Sequence, residues 1–128
     1  MSTIPQELLY TEDHEWIRVE GDVGTVGITD YAQKALGDIT FVDLPKVGTE
    51  VARGDEACAV ESCKAAVSVY APAGGRIVEV NAALTDDPGK INLDCYGEGW
   101  LYKLALASKA ELSKLKTPED YGQIVVNG

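Results

Sequence analysis

The segment "AVESCKAAVSVYAP", residues 59–72, sets a single lysine, Lys64, in the middle of an apolar, strand-like run. Glu61 and Ser62 stand just before it, and Ala65 and Ala66 just after. A weak mirror symmetry surrounds it. Gly54-Asp55 lies nine to ten residues upstream and Gly74-Gly75 ten to eleven downstream, with an apolar arm filling each gap. Turn, strand, lysine, strand, turn is the pattern of a β-hairpin with "ESCKA" (61–65) as its turn and Lys64 at its tip. A lysine so placed is solvent-exposed on a narrow, rigid protrusion. Its amine is an ammonium at neutral pH, and acylation requires the neutral form, so a modifying enzyme must both reach it and deprotonate it. The same residue also serves as an ordinary charge that discourages edge-to-edge strand pairing. The local pattern leaves both readings open.

Outward from the hairpin the chain stays β-rich. "HEWIRVEGDVGTVGIT" (14–29) reads as two strands joined by an "EGD" turn, with Trp16, Val19, Val23, Val26 and Ile28 supplying aromatic and β-branched residues. "TDYAQKALG" (29–37) changes period. Tyr31, Ala32, Ala35 and Leu36 follow helical spacing, Thr29 stands at the N-cap and Gly37 at the stop. "DITFVDLP" (38–45) returns to a strand pattern in which Ile39 and Phe41 alternate. "KVGTEVARGDEACAVES", "KAAVSVYAP", "GGRIVEVN" and "GWLYKLAL" add short strands between glycine-marked turns. Turn signals every eight to twelve residues predict a small sandwich or barrel. The tail is helical. "SKAELSKLK" (108–116) opens with Ser108 and Glu111 in capping-box spacing, and "TPED" (117–120) sets Thr117 as a cap before Pro118. Leu112 and Leu115 are expected to face the body.

Composition narrows the functional classes. The chain has 128 residues, which suits one domain, 1–128, with a modest core. Its net charge of -10 repels nucleic-acid phosphates and anionic membranes, so neither is an expected partner, whereas basic protein patches are. No apolar run approaches the roughly 20 residues that span a bilayer. "MSTIPQELLY" shows neither a secretory signal nor a transit-peptide pattern, so a cytoplasmic location is expected for a bacterial chain, and the mitochondrial matrix for a mature form. The three cysteines, Cys58, Cys63 and Cys95, fit no zinc spacing and are expected as reduced thiols. With His14 the sole histidine, no Cys–His pair stands out as a nucleophile.

Many short motifs, in order and in register, resemble the H proteins of the glycine cleavage system, which are lipoyl carriers. They are "HEW" (14–16), "VGITDYAQKALGDITFVDLP" (26–45), "ESCKA" (61–65), "AP" (71–72), "GGRIVEVN" (74–81), Leu84, Pro88, "IN" (91–92), Tyr96 and "GW" (99–100). The resemblance implies a mostly β fold: a flattened two-sheet antiparallel barrel-sandwich hybrid of the lipoyl/biotinyl type, with a short helix in the N-terminal half and a C-terminal helical tail. It implies a carrier rather than an enzyme, with lipoate joined as an amide to Lys64 inside the motif formed by Glu61, Ser62 and Ala65. Its implied partners are glycine decarboxylase (a pyridoxal-phosphate enzyme), aminomethyltransferase, dihydrolipoamide dehydrogenase, and a lipoate ligase or lipoyltransferase. A monomer is expected. In this family the arm, loaded with an aminomethyl group, folds back into a surface cleft where the glutamate of "HEW", here Glu15, lies near the amine.

The chain departs from the family in three places. Cys63 stands where valine is usual. Ser68 replaces an aspartate that helps receive the amine, and Ala35 replaces a histidine found in some members. Biotin carriers flank their lysine with methionines, and this chain has only Met1. The lipoyl domains of 2-oxoacid dehydrogenases are shorter and carry an aspartate before the lysine. An H-like carrier or lipoyl donor working outside glycine cleavage shares all the motifs. An unmodified interaction module using the acidic face is a further class, and Lys64→Arg separates it from a carrier.

Overall fold

The computed structural model describes residues 3–127. In chain order the elements are β1 (Leu9–Tyr10), β2 (Glu15–Glu20), β3 (Val23–Ile28), α1 (Asp30–Leu36), β4 (Ile39–Asp43), β5 (Glu50–Val51), β6 (Glu56–Ser62), β7 (Ala66–Tyr70), β8 (Gly75–Val80), α2 (Ala83–Asp86), α3 (Lys90–Leu93), β9 (Tyr102–Leu106), a 3₁₀ turn (Lys109–Lys114) and α4 (Pro118–Asn127). Two antiparallel sheets result, a six-stranded one ordered β1-β2-β3-β9-β8-β5 and a three-stranded one ordered β4-β6-β7. They are not closed into a barrel. The mostly β, two-sheet architecture expected from the sequence is what the chain adopts. Among the described residues, no helix is long and apolar enough to cross a membrane.

Local signals account for most elements. Gly21 has φ 63°, which turns β2 into β3, and the paired strands keep Trp16 opposite Gly27. That glycine is required by packing, because a Cβ there would stand 2.6 Å from the Trp16 ring. Thr29 caps α1 through its hydroxyl, which accepts from Ala32 N–H at 3.3 Å. Gly37 ends the helix at φ 77°, its N–H bonding back to the Gln33 carbonyl at 3.0 Å. In α4, Thr117 accepts from Asp120 N–H at 3.2 Å, as its place before Pro118 predicts.

The structure differs from simple pattern reading in three places. The pairing of β4 with β6 shifts register between Ile39 and Phe41, so Ile39 and Val42 are buried while Phe41 is 52% exposed. One irregular residue moves everything beyond it to the other face, and period-2 reading cannot see that. The capping box at Ser108 is half formed. Ser108 accepts from Ala110 N–H at 3.3 Å, but the Glu111 carboxylate accepts from Gly74 N–H at 2.8 Å instead of closing the box. It thereby ties the 3₁₀ turn to the start of β8. Finally, α2 and α3 are four residues each, too short to display a helical period.

The main core lies between the sheets and includes Ile17, Val26, Val60, Val69, Ile77 and Leu104. A second cluster, Leu8, Tyr10, Trp16 and Tyr121, pins α4 to β1, with the Tyr10 and Tyr121 rings stacked at 4.6 Å. Asn92 closes the corner between α1 and β4. Its amide donates to the Gln33 side-chain oxygen and to the Gly37 carbonyl, both at 2.9 Å, and its oxygen accepts from Ile39 N–H at 2.9 Å.

The Tyr102 hydroxyl is buried in the main core with no hydrogen-bond partner among the described residues. An unmet hydroxyl costs about 1–3 kcal/mol. Tyr102→Phe keeps the ring and removes that cost, so it is expected to raise the thermal midpoint. A clear fall in the midpoint on calorimetry would show that the hydroxyl is satisfied.

Candidate functional site

The β6–β7 hairpin forms as the sequence predicts. Its turn closes with Ser62 N–H donating to the Ala65 carbonyl at 2.8 Å. The Ser62 hydroxyl oxygen receives the N–H groups of Lys64 and Ala65, each at 3.3 Å. Ser62 is therefore the residue that ties the turn together. Lys64 is exposed at the tip, with Cys63 and Ala65 exposed beside it. Glu61 is exposed too. It pairs with Ala66 across the hairpin and with Phe41 of β4. The Lys64 side chain leans toward the end of α1, its Cε lying 3.8 Å from where a Cβ on Gly37 would be.

A cleft of about 280 Å³ opens directly beside the tip, between α1 and β7. Its walls are largely apolar: Ala65, Val67 and Val69 on one side, Ile28, Ala32, Ala35 and Leu36 on the other. At one end stand Asp13, His14 and Glu15, and Ser68 also lines it. The structure thus brings Glu15, Ser68, Ala35 and Ala65 to one cavity beside the hairpin tip that carries Lys64. Glu61 and Ser62 remain on the hairpin outside it.

Glu15 is nearly inaccessible, at 2% exposure. Its two carboxylate oxygens are held separately. Oε1 accepts from the Thr11 hydroxyl at 2.6 Å, and Oε2 accepts from Tyr70 N–H at 3.1 Å. The second bond joins a residue of the six-stranded sheet to an edge N–H of the three-stranded one. Burial pushes the Glu15 carboxyl up to about 7, and neighbouring Asp13 pushes the same way, against the opposing pull of the Thr11 and Tyr70 hydrogen bonds. On its other side Glu15 also lines a second, more polar cleft of about 220 Å³ with Thr11, Arg53, Lys114 and Lys116.

The arrangement offers an exposed amine, an adjoining largely apolar groove and a buried acid at one end. This is the layout of a tethered group that must be both displayed and sheltered. The glycine cleavage H-protein family matches residues 8–128 of the chain. The chain belongs to that family. Similar relatives agree. The glycine cleavage system H protein of Carboxydothermus hydrogenoformans is 49% identical over 98% of this chain and 96% of its own length. That of Photorhabdus laumondii is 52% identical over 94% of each. The crystal structure of a glycine cleavage system H protein from Mycobacterium marinum superposes with a TM-score of 0.86 at 46% identity, covering 94% of this chain and 98% of that one.

An H protein is a lipoyl carrier within a multienzyme system, not itself a catalyst. Two of this member's three thiols are buried, and Cys63 is exposed beside Lys64. Burial raises the Cys58 thiol far above its usual range and pushes Cys95 up to about 12, so neither supplies thiolate at neutral pH. The one histidine is committed elsewhere: His14 Nδ1 lies 2.8 Å from the Tyr121 hydroxyl, and its ring stacks on Tyr31 at 4.5 Å.

Pattern reading missed Asp13 and His14 as cleft residues, and Thr11 as the partner of Glu15. "TEDHEW" carries no periodic signal for them. His14 reaches its place with φ 71°, the one positive value outside glycine among the described residues, and such backbone is not legible in composition.

An acid whose folded pKa is raised makes the folded state hold its proton longer than the unfolded one. Its contribution is complete below the ordinary 4.5 and is lost as pH rises through about 7. The loss amounts to roughly 3 kcal/mol. Glu15→Gln removes the titration. Urea unfolding from pH 4.5 to 8 is expected to show a shallower decline in the variant than in the wild type, and identical slopes would contradict the raised value.

Proposed function

We propose that Lys64 carries lipoate as an amide and that the chain, acting as one domain over residues 1–128, is the shuttle of the glycine cleavage system. The observation that carries this reading is the juxtaposition of the exposed Lys64 with a largely apolar cleft that ends at a buried carboxyl. The fit is chemical. A hydrocarbon arm needs apolar walls, which Val67, Val69, Ala35 and Leu36 provide, and an amine cargo needs an anion or acceptor, which Glu15 provides.

When attached, lipoate supplies a dithiolane that opens to carry the aminomethyl cargo. The residues of the chain do the rest. The tight Ser62–Ala65 turn holds the attachment point on a rigid element, so only the arm is flexible. Tethering raises the effective concentration of the cargo at each partner without tight docking. The cleft walls exclude water from the resting arm. Thr11 and Tyr70 fix the Glu15 carboxyl, and a cargo ammonium beside it favours the carboxylate form and lowers its raised pKa. Ser68 adds a neutral hydroxyl where a second charge is common in the family, and Asp13 adds a second carboxylate at the Glu15 end.

The partners proposed are glycine decarboxylase, aminomethyltransferase and dihydrolipoamide dehydrogenase, with a lipoate ligase or lipoyltransferase for attachment. The working form is a cytoplasmic monomer.

The test is intact mass of the protein from its native source, with peptide mapping around Lys64. A gain of one lipoyl amide on Lys64 is expected, and none in Lys64→Arg. A wild-type chain that stays unmodified with lipoate, ATP and a ligase would overturn the reading. For the cleft, Glu15→Ala is expected to shorten the lifetime of the aminomethyl-loaded protein, measured as release of its cargo to water. An unchanged rate would remove Glu15 from the role.

A further inference from the structure

Attachment differs from every later event in where it happens. The reacting atom is Nζ of Lys64, whereas the enzymes that handle the cargo meet the far end of the arm. An enzyme that acylates Nζ has to close over the residues around the tip. Beyond Val67 of the cleft wall, two large apolar side chains are exposed on the elements next to the hairpin: Phe41 of β4, 52% exposed, and Leu93 of α3, 87% exposed.

Their positions follow from the backbone. Phe41 pairs with Glu61, and Ile39 pairs with Ser62 at the base of the turn. Asn92 accepts from Ile39 N–H and donates to the Gly37 carbonyl, while Gly37 is the residue against which the Lys64 side chain leans. Leu93 follows Asn92 directly. Single exposed apolar residues are common. These two stand on β4 and α3, which the Asn92 side chain joins through Ile39, and the register shift in β4 turns Phe41 outward while its neighbours Ile39 and Val42 pack inside. Exposed acids neighbour them in sequence or across the β4–β6 pair: Asp38, Asp43, Glu61 and Asp94. None of the four belongs to an ion pair among the described residues.

We propose that Phe41 and Leu93, with these acids as a rim, are the recognition surface for the enzyme that acylates Lys64, whose complementary face is an apolar socket edged by Lys or Arg. The proposal rests on the carrier reading of Lys64. In the step it serves, the lone pair of neutral Nζ forms a bond to the carbonyl carbon of an acyl-adenylate. The bond from that carbon to the AMP oxygen breaks, and the proton lost by the amine passes to a base of the enzyme or to water. The acidic rim attracts the basic enzyme, speeds encounter and makes it salt-sensitive. The two apolar side chains supply contact area once water is excluded.

The experiment uses the full chain with a purified lipoate ligase, ATP and lipoate, following acylation by intact mass. Phe41→Ser with Leu93→Ser is expected to raise KM for the protein about tenfold while kcat and the thermal midpoint stay near wild type. Asp38→Asn with Asp94→Asn is expected to flatten the salt dependence. After forced complete acylation, reduction by dihydrolipoamide dehydrogenase is expected at the wild-type rate. An unchanged KM in the Phe41/Leu93 variant would overturn the proposal. So would an equal loss in the dehydrogenase step, which would assign the surface to partners acting at the arm's end. A wild-type chain that takes no acyl group would fail before any variant is made, and would overturn the carrier reading together with this surface.

Discussion

The bond between the Glu15 carboxylate and Tyr70 N–H, at 3.1 Å, links two sheets that otherwise share no strand. β7 is an edge strand, and an edge strand presents N–H groups that need partners. One of them is met by a side chain from β2, 55 residues away in sequence. The hairpin is thereby fastened near its base to the larger sheet, and the cleft is defined between it and α1. Burying a carboxyl is costly unless it is hydrogen-bonded. Here the two hydrogen bonds offset part of that cost, and burial still pushes the carboxyl up to about 7.

The same carboxyl lines the cleft beside the Lys64 hairpin, so the group that pairs the sheet edge also faces the cleft. Pairing a sheet edge requires a fixed position. The proposed reception of an ammonium requires an ionisable one. A glutamate whose oxygens are divided between Thr11 and Tyr70 satisfies both.

Rigidity at the tip has a different origin. Ser62 uses its backbone N–H and its hydroxyl oxygen to close a turn that has no glycine, and β6 runs unbroken from the turn into the core at Val60 and Cys58. A corner built by Asn92 supports it from below, joining α1, α3 and β4. The exposed Phe41 and Leu93 belong to β4 and α3, two of the elements that this corner joins.

The residues by themselves determined what depends on near neighbours. The hairpin around Lys64, the β2–β3 turn, α1 with its Thr29 and Gly37 ends, and the Thr117 cap all rest on interactions within a few residues, and all were legible. So was the set of motifs that places the chain in its family. Tertiary structure alone decided the rest. It decided which edge β7 leaves open, and so why Glu15, readable as a solvent-facing strand residue, is buried. It decided the register shift that turns Phe41 outward, and the choice of Gly74 over a capping box by Glu111. It also formed α2 and α3, which are single turns with no period of their own. Each of these depends on a hydrogen bond or a contact to a residue distant in sequence, and a local pattern holds no record of which distant group will arrive.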